Sequence, residues 1–215
     1  AIKINFKLLK ISKKLLIANK ETIICGGKVF LNLAKKNNCE IVPIDSEHHC
    51  IDFFLKSFNS KQDIKKIYIT ETGGPFLNKK INYNEKLNNN MLLPIIHYPR
   101  MEIPISNCLG VSNDFDINLN NFNFKYHDVN LKKFPLVKLG FDILKNCSMA
   151  GFIIFTVLNE RLVKKYLKNE LKYGEIVDKL VKLFKHNVLI NKSKKNIKNI
   201  KEIFDIIEYA KKIKL

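Results

Sequence analysis

A chain of 215 residues, 46% of them hydrophobic, can bury a substantial core and has room for one large domain or two small ones. Its net charge of +18 would suit a nucleic-acid ligand, but the basic residues are nearly all Lys, with Arg only at Arg100 and Arg161, dispersed among Asn and Ile; phosphate and base recognition favours the bidentate guanidinium, so the charge reads as compositional bias and a nucleic-acid partner is not expected. Cys25, Cys39, Cys50, Cys108 and Cys147 are odd in number and form no Cys-x-x-Cys pair, which points to a reducing compartment, and neither a secretory leader nor an apolar run of about 20 residues suggests export or a membrane span.

Residues 2–9 set Ile4, Leu8 and Leu9 among lysines, the pattern of a short amphipathic helix that ends at Lys13-Lys14. Leu15-Leu16-Ile17-Ala18 is a continuous apolar run of the kind that forms a strand buried on both faces. Residues 22–36 predict a helix with Val29, Phe30, Leu33 and Ala34 on one face and Lys35-Lys36 at its carboxyl end, and Asn37-Asn38 breaks it. Residues 40–44 predict a second strand, in which Pro43 requires an edge or terminal position.

Residues 47–58 predict a helix with Ile51, Phe54, Leu55 and Phe58 on one side, and residues 64–70 a third strand that runs into Gly73-Gly74. This alternation indicates an α/β layer. Residues 78–90 offer little to bury, Pro94, Pro99 and Pro104 exclude a regular helix from residues 91–105, and the Asn-rich residues 113–130 suit a linker. Helical spacing returns over residues 136–144, 157–167, 176–184 and 197–213, four helices of a bundle. The expected architecture is an α/β (α+β) catalytic core in residues 1–112, a linker at 113–130 and a small carboxyl-terminal helical domain over 131–215.

Three short segments could carry chemistry. Asp45 and Glu47 follow an apolar strand, and in extended backbone their carboxylates would share a face and chelate a hard divalent cation. The competing reading is that Asp45-Ser46 caps the next helix, and the two are compatible. His48, His49 and Cys50 are zinc-ligand types, but consecutive residues converge poorly on one tetrahedral ion, so packing and surface roles are expected. Thr72 with Gly73-Gly74 offers hydroxyl and backbone donors to an anion, or forms a plain tight turn. Lys20, just past the first apolar run, is either a solvated lysine or a stabiliser of negative charge on a substrate.

The order of these pieces narrows the choice. Ala18-Asn19-Lys20-Glu21, then Asp45-Ser46-Glu47-His48, then Thr72-Gly73-Gly74-Pro75-Phe76 resembles the Ala-Asn-Lys-Glu, Asp-Ser-Glu-His and Ser-Gly-Gly-Pro-Phe motifs of the 1-deoxy-D-xylulose 5-phosphate reductoisomerase family. Met101-Glu102-Ile103-Pro104-Ile105, Phe134-Pro135-Leu136 and Leu158-Asn159-Glu160 are similar to later family segments. The resemblance implies an NADPH- and Mg- or Mn-dependent oxidoreductase and isomerase, acting on a small phosphorylated sugar for isoprenoid precursor synthesis, in a homodimer of the bacterial cytoplasm or a plastid-type organelle. It further implies Asp45 and Glu47 as metal ligands and Lys20 as a catalytic group. Lys20, Ser46, Glu47, Thr72 and Met101 would contact substrate, and Asn19, Lys20 and Glu21 the nicotinamide cofactor.

The sequence departs from the family pattern in several places. No Gly-x-Gly-x-x-Gly occurs, there is no Trp, and Glu71 stands where the family has a small residue. Residues 78–91 carry no equivalent of the family's phosphate-binding segment or of its third acidic ligand. A shortened or degenerate reductoisomerase is therefore expected, inactive by itself and without tight NADPH binding. The alternatives are an oligomerising structural remnant and a Lys-rich nonspecific nucleic-acid binder.

Overall fold

In the computed structural model, residues 2–57, 102–111 and 128–215 are described, and they form nine helices and two strands. Helix α1 (Ile2–Leu8) buries Phe6 and leads into β1 (Lys14–Ile17). Contrary to the expectation of a strand buried on both faces, Lys14 is exposed, Leu15 and Leu16 are half-buried and only Ile17 is buried. Among the described residues β1 belongs to a two-stranded sheet. Its one described neighbour is β2 (Glu40–Pro43), whose last residue is Pro43, where a missing N–H costs the ladder least. Glu40 N donates to Lys13 O and Ile44 N to Ile17 O, a constant offset that makes the pair parallel, with α2 as its crossover.

Helix α2 (Lys20–Lys36) begins two residues before the predicted start and ends as predicted at Asn37-Asn38, where Asn38 takes a positive φ of 53°. Phe30 and Ala34 are buried on its apolar face, and Phe6 meets the Phe30 ring edge-on at 5.1 Å. Helix α3 (Ser46–Ser57) follows β2. The predicted third strand and the Gly73-Gly74 turn lie outside the described residues. Helix α4 (Glu102–Leu109) corrects the reading of residues 91–105 at its carboxyl end: Pro104 is buried inside it. Proline is tolerated there because it occupies the first turn, where its N–H would have no intrahelical partner.

After residue 130 come α5 (Pro135–Asn146), α6 (Met149–Leu167), α7 (Tyr173–Leu183), α8 (Asn187–Ser193) and α9 (Ile200–Lys212). Five helices thus follow residue 130 where four were expected, and α6 starts eight residues before the predicted 157. Its first turns, Met149-Ala150-Gly151, read weakly as periodic, but Ser148 caps them by accepting from Ala150 N at 3.2 Å. Asn199 caps α9 in the same way, accepting from Glu202 N at 3.0 Å.

Packing divides the described residues into two units. One gathers residues 2–15, 19–41 and 130–215, and the other residues 16–18, 42–57, 102–111 and 128–129. In the first unit α6 is the central helix, touching α2, α7, α8 and α9 and burying Ala150, Ile153, Ile154, Leu158 and Leu162 completely. Arg161 of α6 donates to Ala210 O at 2.8 Å and Ile213 O at 2.7 Å, closing the carbonyl end of α9 with a fixed charge. No helix among the described residues is long and apolar enough to cross a membrane.

Candidate functional site

The first group of site residues opens α2. Asn19 is its N-cap: Oδ1 accepts from Thr22 N at 3.0 Å and from Thr22 Oγ1 at 2.9 Å. Asn5 of α1 extends the chain, donating from Nδ2 to Thr22 Oγ1 at 2.7 Å, so the buried threonine is satisfied on both sides. This network holds the amino end of α2 and presents half-buried Lys20 and Glu21 in the first turn. Glu21 suits that position, whereas the helix dipole disfavours the Lys20 cation. A residue that opposes its local preference is a candidate for a role beyond folding.

Cys25, one turn further along α2, is wholly buried. Burial pushes its thiol up to about 11, the Thr156 side chain bonded to it pulls in the opposite direction, and the charges of Glu21 and Glu160 add to the rise. That pKa marks an inert core thiol. It also places Glu160, from the Leu158-Asn159-Glu160 segment of α6, within electrostatic reach of the same part of α2.

The second group opens α3. The backbone is helical from Ser46, so Asp45 and Glu47 are not spaced along an extended strand as expected; Asp45 precedes the helix and Glu47 lies in its first turn. Asp45 is a buried acid whose Oδ1 accepts from His48 N at 3.2 Å and lies 2.6 Å from His48 Nδ1. A carboxylate accepts and does not donate, so that ring nitrogen carries the proton. The capping role foreseen for Asp45 is therefore present. Of Ser46 only the backbone is described, and it begins α3.

His49 takes the packing role expected of it. It is buried, with Nδ1 3.2 Å from Pro43 O and Nε2 3.4 Å from Asn107 Nδ2 of α4. Thr72 and Met101 lie outside the described residues. Asn19, Lys20 and Glu21 thus stand together at one helix start, and Asp45, Ser46 and Glu47 at another. Among the described residues no three His, Cys, Asp or Glu side chains form a metal-binding group. Two carboxylates still suit magnesium or manganese, ions commonly held by one or two protein carboxylates with water and substrate oxygens completing the shell.

Sequence reasoning did not identify the Asn5–Thr22–Asn19 network or the His48 contact. The first had a signal, a threonine three residues after an N-cap asparagine; the partner from α1 had none.

Comparison with known proteins gives these residues a context. A family model for the DXP reductoisomerase C-terminal domain matches residues 96–213, and one for the 1-deoxy-D-xylulose 5-phosphate reductoisomerase C-terminal domain matches residues 41–103. The 1-deoxy-D-xylulose 5-phosphate reductoisomerase of Pelagibacter ubique (strain HTCC1062) is 29% identical, over 97% of this chain and 71% of its own length. That alignment runs to 280 positions against a chain of 215 residues, so at least 65 positions belong to the relative alone. A crystal structure of a DOX-P reductoisomerase with fosmidomycin and magnesium superposes with a TM-score of 0.80 at 18% identity, covering 98% of this chain and 71% of that one. The Zymomonas mobilis enzyme in complex with NADPH gives 0.75 at 16%, covering 97% and 69%. At these identities the structural likeness establishes the fold.

Proposed function

The chain belongs to the DXP reductoisomerase C-terminal domain family, and from that premise we propose that it carries the metal- and substrate-binding side of a 1-deoxy-D-xylulose 5-phosphate reductoisomerase. The observation that carries this reading is the pair of adjoining family matches over residues 41–213, which include the acids of the second group. The reaction isomerises the phosphorylated sugar and reduces the resulting aldehyde to 2-C-methyl-D-erythritol 4-phosphate. When bound, a divalent ion supplies Lewis acidity at substrate oxygens and NADPH supplies the hydride.

Asp45, held by His48 at the start of α3, and Glu47 in the same turn are the proposed metal ligands. Ser46, Thr72 and Met101 are proposed to touch substrate. Lys20 is the proposed catalytic cation, stabilising negative charge as it develops on substrate oxygen. Asn19, Lys20 and Glu21 are proposed to face the nicotinamide; for Asn19 the described bonds make it first a cap, which fixes where its two neighbours stand. Residues 1–112 supply all of these groups. The helices over 131–215 then serve as scaffold, and a homodimer is the proposed assembly, as the family resemblance implies. The α/β core of the fold is proposed to be completed by the strand expected over residues 64–70.

The 65 or more positions present only in the Pelagibacter relative support a further part of the reading: this chain is a shortened form that does not turn over by itself. Equilibrium Mn2+ binding and NADPH oxidation together test it. The native chain should bind Mn2+, and Asp45→Asn should weaken binding at least ~10-fold. Neither should oxidise NADPH in the presence of 1-deoxy-D-xylulose 5-phosphate. Absence of Mn2+ binding would sink the ligand assignment, and robust turnover would sink the claim of inactivity.

A further inference from the structure

A carboxylate that binds a metal ion must be fixed in direction as well as in place, because rotation about its Cβ–Cγ bond swings both oxygens away from the ligand position. His48 supplies two separable contacts to Asp45 Oδ1. The first, from the backbone N at 3.2 Å, is the helix cap, and any residue other than proline at position 48 could donate it. The second, from ring Nδ1 at 2.6 Å, depends on the imidazole. Tying one oxygen to the ring sets the plane of the carboxylate and thereby the direction of Oδ2.

Exposure separates this histidine from its neighbour. The Asp45 side chain is 12% exposed, but that of His48 is 56% exposed, so the ring fills no core space. His49 is the buried one, holding α3 to the end of β2 and to α4 through Pro43 O and Asn107. Packing in this region is served by His49, which leaves the Asp45 contact as the described use of the His48 ring.

We infer that His48 is a positioning residue for divalent-cation binding, acting through Asp45, an inference that rests on the assignment of Asp45 as a metal ligand. Mn2+ affinity of the full chain, measured for the native protein, His48→Ala, His48→Asn and Asp45→Asn, tests it. His48→Ala keeps the backbone cap and loses the ring contact, so helix content by circular dichroism should stay unchanged while Mn2+ affinity falls at least ~10-fold. His48→Asn can place an amide nitrogen near the position of Nδ1, and should recover affinity to within about threefold of native. A purely structural role would not distinguish the two variants.

Native affinity in His48→Ala, with Asp45→Asn still impaired, overturns this inference and leaves the ligand assignment standing. Equal weakening in His48→Ala and His48→Asn also overturns it, since Nδ1 donation would then be irrelevant. No Mn2+ binding by the native chain overturns the assignment of Asp45 and the inference with it.

Discussion

Asn19, Thr22 and Cys25 lie within two turns of α2 and illustrate how much of the site region is ordinary folding chemistry. Asn19 gives its side-chain oxygen to the cap, Thr22 is satisfied by Asn19 and Asn5, and Cys25 is sealed in the core. Cys25 also gives a pH prediction whose sign is fixed. Its thiol ionises near 9 when unfolded and at about 11 in the folded chain. Below pH 9 both states hold the proton and the native contribution is complete. Between the two values the unfolded chain releases the proton and the folded one retains it, so stability falls as pH rises. Relative to Cys25→Ala, the native protein should lose roughly 2 to 3 kcal/mol from pH 8.5 to 11 in urea unfolding. A pH-independent difference would show that the thiol is not held neutral.

At the scale of elements, α2 is interrupted where its sequence reads as continuous. Gly27 takes φ 46° and ψ −137° inside the helix, and a Cβ built on it would run into Met149 Sδ at the start of α6. The positive φ is what requires glycine, because the Met149 side chain is flexible and can move aside. Gly27→Ala should lower stability by about 1 to 3 kcal/mol in chemical denaturation. Adding Met149→Ala should not restore it fully, because removing the clash leaves the backbone strain. Full recovery would mean that space alone selects glycine. Pro104 in α4 teaches the opposite lesson: a residue that argues against helix is harmless in a first turn.

For the whole molecule, the first packing unit depends on segments far apart in sequence. Helix α2, with α1 packed on it, precedes residue 41 yet packs with α6 and α9, which follow residue 130. Leu158 lies fully buried in α6. Leu158→Ala should therefore cost about 2 to 5 kcal/mol, and a unit folded around one central helix should lose it in a single transition. Thermal unfolding followed by circular dichroism at 222 nm and by tyrosine fluorescence would check this; a change under 1 kcal/mol would show that the α6 interface is loosely packed.

The sequence by itself determined the family, through three short motifs in order, and most helix positions, through apolar spacing and the stop at Asn37-Asn38. Local backbone preference and motif order are properties of neighbouring residues, so they can be read from one chain. Tertiary structure decided that β1 would be half exposed, since burial depends on which layers cover a strand. It decided that α2 would bend at Gly27 against Met149. It alone joined Asn5 to Thr22 and Arg161 to the end of α9. These contacts lie 17 to 52 residues apart, and the energy that selects them comes from partners that no local pattern specifies.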